Sequence, residues 1–188
     1  VANVNRIFGP TNGAQPSDWD SNSHFVTASY KADTNVFRGF AYLLDFENSN
    51  GIINSTSTFG IGYSGTLGPV KLDGTLATQT DYADSPLNYD AVYVNLAAAW
   101  KIKPVTITAG FELLGSDAGL VSFRTPLATL HKFQGWADKF LTTPPAGIED
   151  LSIGIAGAVG KLKLAGTWHD FSANEGGADY GTELDLVA

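Results

Sequence analysis

The sequence predicts an all-β fold, and within that class an antiparallel transmembrane β-barrel, from three observations. Large apolar residues alternate with small or polar ones along many segments; in 57–67 the apolar positions are Phe59, Ile61, Tyr63 and Leu67. Such alternation gives a strand one apolar face and one polar face. The segments are about ten residues long, the length that a tilted strand needs to cross a bilayer. Short links alternate with long ones, as in outer-membrane barrels.

Composition agrees with this class and excludes several others. Of the 188 residues 16% are charged, against about 25% in an ordinary soluble domain. The net charge of −8 argues against sequence-independent binding of nucleic acid, which needs a basic face. The chain has no Cys, so disulfides and thiolate metal sites are excluded. No apolar run approaches the length of a membrane-spanning helix, so the sequence predicts none.

The alternation predicts roughly nine or ten strands in chain order. Two early segments, 24–31 and 36–47, fit the pattern less cleanly than the rest. The later strands are predicted at 57–67, 70–82, 90–101, 105–113, 151–159, 162–169 and 180–186. The long links between them are 48–57, 83–88, 115–150 and 172–179.

The polar positions of these strands indicate which face meets water. They carry mostly Gly, Ala, Ser and Thr, with few charges of both signs. A water-facing exterior normally carries many Lys and Glu, so this composition favours a crowded aqueous lumen and an apolar face toward lipid. A soluble lipocalin-like barrel or β-sandwich has the opposite arrangement, and alternation alone also fits it.

The larger polar side chains on these positions are predicted to line the solute path. They are Lys71, Asp73, Gln79, Asn95, Lys101, Glu112, Lys163, His169 and Glu183. Both signs of charge are present, which predicts weak charge selectivity.

The longest link, 115–150, breaks the β pattern. From Thr125 to Leu141 apolar residues recur every three or four positions, a helical period. Thr125 can cap a helix and Pro126 suits its first position. We therefore expect a short helical segment in a long outer loop, acting as a constriction or plug.

The same loop carries the one local cluster of basic residues. The residues predicted to form the constriction are Arg124, His131, Lys132, Trp136 and Lys139. If the loop folds inward, these cations face an anionic solute. If Trp136 and Phe140 pack it as a plug, the charges are only solvated and confer no selectivity. The sequence leaves both readings open.

Several runs resemble a known family. Residues 125–140 resemble a signature of the alginate export family of bacterial outer-membrane porins. Further similar runs are 5–10, 42–46, 168–171 and 176–181. The resemblance covers nearly the whole chain but corresponds to the C-terminal half to two-thirds of a family member. It implies a single β-barrel domain over 1–188, a fragment whose barrel is incomplete as given.

The resemblance also implies a function. The protein would be a channel in the outer membrane of a Gram-negative bacterium, passing a hydrophilic solute, with an anionic saccharide as one candidate. The family's alginate conduit is lined by many Arg and Lys, whereas this chain has 11 such residues in all, so a dense ladder for uronate cannot be transferred. Its partners would be outer-membrane lipid and the solute; no cofactor, metal or enzymatic activity is implied.

Two other classes of function fit the pattern. An incomplete arc of strands has unpaired edges, and such edges pair with other copies. The chain could therefore be a structural protein that self-associates into a multi-chain barrel, tube or filament. A soluble sugar-binding β domain is the third class, and solubility without detergent would favour it.

Motifs for other chemistry are weak. Residues 60–65 match G-x-G-x-x-G, but they lie inside a predicted strand and not at a strand-to-helix turn. The acidic run from Asp18 lacks the Gly and the Glu of a calcium loop. Calcium at Asp170, Glu175 and Asp179 stays open. The three His residues have no metalloprotease or nucleophile motif around them.

Overall fold

A computed structural model describes residues 20–49, 51–128 and 134–188. The described chain is all-β, as predicted, and its main element is one antiparallel sheet of nine strands. These are β1 (His24–Ala32), β2 (Asn35–Leu44), β3 (Thr56–Leu67), β4 (Val70–Asp81), β5 (Asp90–Ile102), β6 (Val105–Leu114), β9 (Ile148–Val159), β10 (Leu162–Ser172) and β11 (Asp179–Val187). A two-stranded ribbon, β7 (Ser116–Asp117) and β8 (Val121–Ser122), and a 3₁₀ turn at Ile52–Asn54 complete the elements.

The sheet follows chain order. Its strand order is β1-β2-β3-β4-β5-β6-β9-β10-β11, and every pair of neighbours is antiparallel. Within the described residues β1 and β11 each pair with one neighbour and not with each other. The sheet is therefore open there, and closure into a barrel stays a prediction. No helix among the described residues is long and apolar enough to cross a membrane.

Short and long connections alternate between the two ends of the sheet, as the sequence predicts. The strands are joined at one end by 33–34, 68–69, 103–104 and 160–161. Asp33, Gly68 and Gly160 adopt positive φ in three of these short turns. At the other end lie the long links 45–55, 82–89, 115–147 and 173–178. We call these the turn end and the loop end of the sheet.

One face of the sheet, the apolar face, is large and exposed. Ile61, Ile155 and Leu186 lie on it and are 64%, 55% and 70% exposed. The charged side chains on this face of the described strands, such as Asp90, Glu149 and Asp170, lie near the loop end. Since exposed apolar surface costs about 25 cal/mol per Å² in water, this face needs an apolar cover.

The opposite face, the polar face, carries small and polar side chains at the turn end and a core at the loop end. The buried cluster there consists of Ala77, Tyr89, Ala91, Leu114, Phe123, Ile148 and Phe171. Phe123 belongs to the long link 115–147, and Phe140 of the same link packs against Phe171 with ring centroids 5.0 Å apart. The long link thus folds over the polar face.

The predicted helix in this link is wrong for the part that the structure describes. Residues 125–128 and 134–141 form turns, and 129–133 lie outside the described residues. Gln134, Gly135 and Asp138 have φ values of 53°, 81° and 55°, which a right-handed helix does not allow. The backbone bonds to side chains of the sheet in place of its own helical partners. The apolar residues that suggested a helix include Phe140, which packs on the sheet core.

Gly60 provides a test of this packing. A Cβ at Gly60 would overlap the ring of Phe40, its cross-strand neighbour on the polar face, whereas a Cβ at Gly39 on the apolar face meets nothing. We expect Gly60→Ala to lower the free energy of unfolding by about 1–3 kcal/mol because the ring must move. Gly39→Ala is the matched control. Urea unfolding in detergent measures both, and equal effects would contradict the packing.

Candidate functional site

All nine side chains predicted to line the solute path lie on the polar face. The register shows this directly, since Asn95 pairs with Glu112 and His169 pairs with Glu183 across neighbouring strands. Along the strands, the lysines of the polar face lie at one end and most of its acidic residues at the other. Lys71, Asp73, Lys101 and Lys163 lie toward the turn end, and Gln79, Glu112, His169 and Glu183 lie nearer the loop end. Passage of a solute along this face stays a prediction.

Gln79 joins the start of the long loop to β4. Its side chain is 2% exposed and uses both ends of its amide. Oε1 accepts from the backbone N–H of Arg124 at 2.7 Å and from the Tyr89 hydroxyl at 2.9 Å. Nε2 donates to the Arg124 carbonyl at 2.9 Å and to Thr58 Oγ1 at 3.0 Å. All four bonding capacities of the amide are filled, so the loop is fixed at Arg124.

Glu112 bonds to the loop further along. Oε2 accepts from Gln134 Nε2 at 2.5 Å, and Oε1 accepts from the Tyr93 hydroxyl at 2.5 Å. The carboxylate is nearly buried, and hydrogen bonds of this kind are what make burial of a charged group tolerable.

Glu183 holds the loop backbone itself. Its Oε1 accepts from the N–H groups of Trp136 and Ala137 at 2.5 and 2.8 Å. Gly135 beside them has a φ of 81°, and a Cβ there would lie 2.6 Å from the Glu183 carboxylate. The close approach therefore requires glycine at this position. Three polar-face residues, Gln79, Glu112 and Glu183, together clamp the loop, and we call them the loop clamp.

Next to the clamp lies a partly buried histidine. His169 Nδ1 is 2.8 Å from Asp150 Oδ1, and Nε2 is 3.7 Å from Asp185 Oδ2. The ring also stacks on Phe171 with centroids 5.4 Å apart. The two carboxylates and the ring contact together fix the orientation of the His169 side chain.

A cavity of about 610 Å³ lies between the polar face and residues 123–128 of the loop. Its walls are mainly aromatic and aliphatic, among them Phe25, Phe40, Tyr42, Leu44, Tyr93, Leu114, Phe123 and Leu127. Rings contact each other in this wall: Phe40 and Tyr42 have centroids 4.9 Å apart, and Tyr93 and Phe123 5.3 Å. Polar groups on the lining include Gln79, Glu112 and Arg124.

Arg124 contributes the positive charge of this cavity. Its Nη1 donates to Asn54 Oδ1 at 2.9 Å. Its Nε is buried and has no hydrogen-bond partner among the described residues. Those residues also offer the guanidinium no carboxylate partner.

The predicted constriction residues are only partly brought together. Arg124 and Trp136 lie in loop segments that the clamp holds against the polar face. Lys139 is exposed. His131 and Lys132 lie outside the described residues. The basic cluster therefore contributes one described cation, Arg124, to the cavity.

Sequence reasoning missed the aromatic wall. Phe40, Tyr42 and Leu44 lie on the polar face of β2, which is why this strand fits the alternation poorly. A strand that is apolar on both faces signals a covered segment, so the departure from alternation was itself the usable signal. Asn54 and Tyr89 were also missed, and no local pattern marks them.

No metal cluster is found in the described part of the chain: no three His, Cys, Asp or Glu side chains there are grouped to hold an ion. The acidic run from Asp18 falls partly outside that part. The G-x-G-x-x-G run lies within β3, where a helix would be needed for a dinucleotide site.

Comparison with family models, curated proteins and solved structures gives no match. The resemblance to the alginate export family accordingly stays a prediction.

The loop clamp can be tested by proteolysis. Glu183→Ala removes two hydrogen bonds to a charged acceptor, worth about 1.5–3 kcal/mol each. We expect trypsin to cleave at the exposed Lys139 at least about tenfold faster, because cleavage follows the population of the released loop. Glu183→Gln keeps an acceptor oxygen, so its cleavage rate should lie between those of wild type and Glu183→Ala. Thr75→Ala, on the same face but outside the clamp, is the control; equal cleavage in all four proteins would rule out the clamp.

The hydroxyl of Tyr89 gives a pH test. Burial raises the pKa of Tyr89 well above its ordinary value, and the nearby charge of Asp81 adds to this while Arg124 opposes it. The folded state thus keeps its proton where the unfolded state loses it, so stability falls as the pH rises above about 10, by at most about 1.4 kcal/mol per pH unit.

Tyr89→Phe removes this titration together with the bond to Gln79. We expect wild type to be the more stable protein at pH 8 and its advantage to shrink by pH 11. Urea unfolding at both values measures the difference. An advantage that stays constant or grows with pH would contradict the assignment.

Proposed function

We propose that this chain forms the wall of an outer-membrane channel that passes a hydrophilic solute along its polar face. The solute class suggested by the family resemblance is an anionic saccharide. The proposal also gives the protein a bacterial outer-membrane location and no catalytic role.

One observation carries the proposal: the contrast between the two faces of the sheet. Between the charged residues at the loop end and the turns at the other end, the apolar face of the nine strands carries no charged side chain. On β9 this uncharged stretch runs from Leu151 to Val159, roughly 26 Å along the strand. That is close to the height of the apolar band of outer-membrane barrels, about 25 Å. Lipid is the cover that fits such a face.

The polar face supports a water-filled path on the other side. Toward the turn end it carries small side chains and the residues Lys71, Asp73, Lys101 and Lys163. Toward the loop end the clamped loop narrows the space above it. A loop folded into a lumen and bonded to its wall sets the size of what passes.

The two faces can be compared with adjacent substitutions on β9. Ile155→Lys puts a charge on the apolar face and should weaken insertion into lipid by about 2–4 kcal/mol. Ala156→Lys puts the same charge on the polar face and should leave insertion unchanged. Reconstitution into vesicles, scored by flotation, measures both. Equal insertion of the two variants would overturn the membrane proposal.

Conductance then tests the channel itself. We expect wild-type protein to open steps in a planar bilayer and to show weak ion selectivity by reversal potential. Insertion without conductance would leave a membrane protein but not a channel. Strong anion selectivity would contradict the mixed charge of the path.

A second candidate is assembly of several copies. The open edges at β1 and β11 favour it, because unpaired strands pair with other strands. Mass measurement in mild detergent separates the two. A regular series of masses at multiples of the 19.9 kDa chain supports assembly of copies. A single mass supports a channel whose wall is not closed by further copies of this chain.

A further inference from the structure

We propose that the cavity under the loop is a binding site for a small aromatic carboxylate, with Arg124 as its anion-binding group. The inference names a solute for the proposed channel, in place of the saccharide that the family resemblance suggests, and to that extent rests on the proposed function. The binding site itself does not require conduction.

The first step is the unused capacity of Arg124. A guanidinium has five N–H donors, and the described residues account for the one that binds Asn54. Arg124 is partly exposed, lies on the cavity lining and has no carboxylate partner among the described residues, so an anionic ligand there would supply the missing counter-charge. The planar fork of Arg matches a carboxylate with two parallel hydrogen bonds.

The second step is that Gln79 and Glu112, two further polar residues of the lining, are already bonded within the protein. Gln79 has all its bonding capacities filled, and Glu112 accepts from Tyr93 and Gln134. A saccharide needs partners for many hydroxyls, and these residues have little left to give. Gln79 and Glu112 therefore offer a sugar few hydrogen bonds in this cavity.

The third step is the wall. Phe25, Phe40, Tyr42 and Phe123 present rings to the cavity, and rings pair with a flat aromatic body in stacked or tilted geometry. Small hydrated anions such as phosphate would lose water against such walls and gain no hydrogen bonds from them. The volume of about 610 Å³ is within the range of small-molecule sites. Glu112 on the same lining would repel a second negative charge, which favours a monocarboxylate.

The experiment is calorimetric titration of the full chain in detergent with benzoate, benzamide and glucuronate. Benzamide has the same ring without the charge, and glucuronate has the charge on a sugar. We expect saturable binding of benzoate, at least tenfold weaker binding of benzamide, and no saturation with glucuronate. Equal binding of benzoate and benzamide, stronger binding of glucuronate, or no binding of benzoate would each overturn the proposal.

Variants assign the charge to Arg124. Arg124→Met should weaken benzoate binding at least tenfold and leave benzamide binding unchanged, whereas Arg124→Lys should keep part of the affinity. Lys103→Met, in a turn at the far end of the sheet, is the control for loss of a positive charge. If Arg124→Met fails to fold, the partial affinity of Arg124→Lys for benzoate and the comparison of benzoate with benzamide still test the role of the Arg124 charge. Unaltered benzoate affinity in Arg124→Met would overturn the assignment.

The binding proposal and the channel proposal can be contradicted independently of each other. Binding without conductance would retain the site and remove the channel. Conductance without benzoate binding would retain the channel and remove this solute class. In a conducting protein we expect benzoate to reduce the current through wild type and not through Arg124→Met.

Discussion

The antiparallel register is the constraint on which the rest of this structure depends. Side chains alternate between faces along a strand, so a shift of one residue would send every apolar group to the wrong side. Across nine strands the register keeps Ile61, Ile155 and Leu186 on one face and Gln79, Glu112 and Glu183 on the other. Both the exposed apolar face and the loop clamp follow from that separation.

The loop clamp shows how the polar face holds the long loop in place. Buried amides and carboxylates are costly unless they are bonded, and here the loop backbone supplies many of the bonds. The polar residues that a water-filled path would need are thus partly occupied by hydrogen bonds to the loop. The cavity beside the clamp has an aromatic wall and one guanidinium, so the covered part of the polar face differs in character from the part near the lysines.

The helix predicted for the loop illustrates a limit of periodicity. Spacing of apolar residues every three or four positions predicts one buried helix face, but of the described residues of this set only Phe140 packs on the sheet core, whereas Leu127 and Trp136 are exposed. Backbone partners decide between a helix and a loop. At Trp136 and Ala137 the N–H groups bond to Glu183, a strand residue 47 and 46 positions away, and Gly135 permits the approach. Local sequence carries no sign of such a partner.

By itself the sequence determined the all-β class, the antiparallel order of the sheet, the alternation of short and long connections, and the face on which each of the nine polar residues lies. These features depend on period-two alternation and on chain proximity, which are local properties. Only the tertiary structure decided the path of the loop, the clamp at Gln79, Glu112 and Glu183, and the aromatic cavity beside Arg124. Those depend on contacts between residues far apart in the chain, such as Gln79 with Arg124, whose pairing no local pattern encodes.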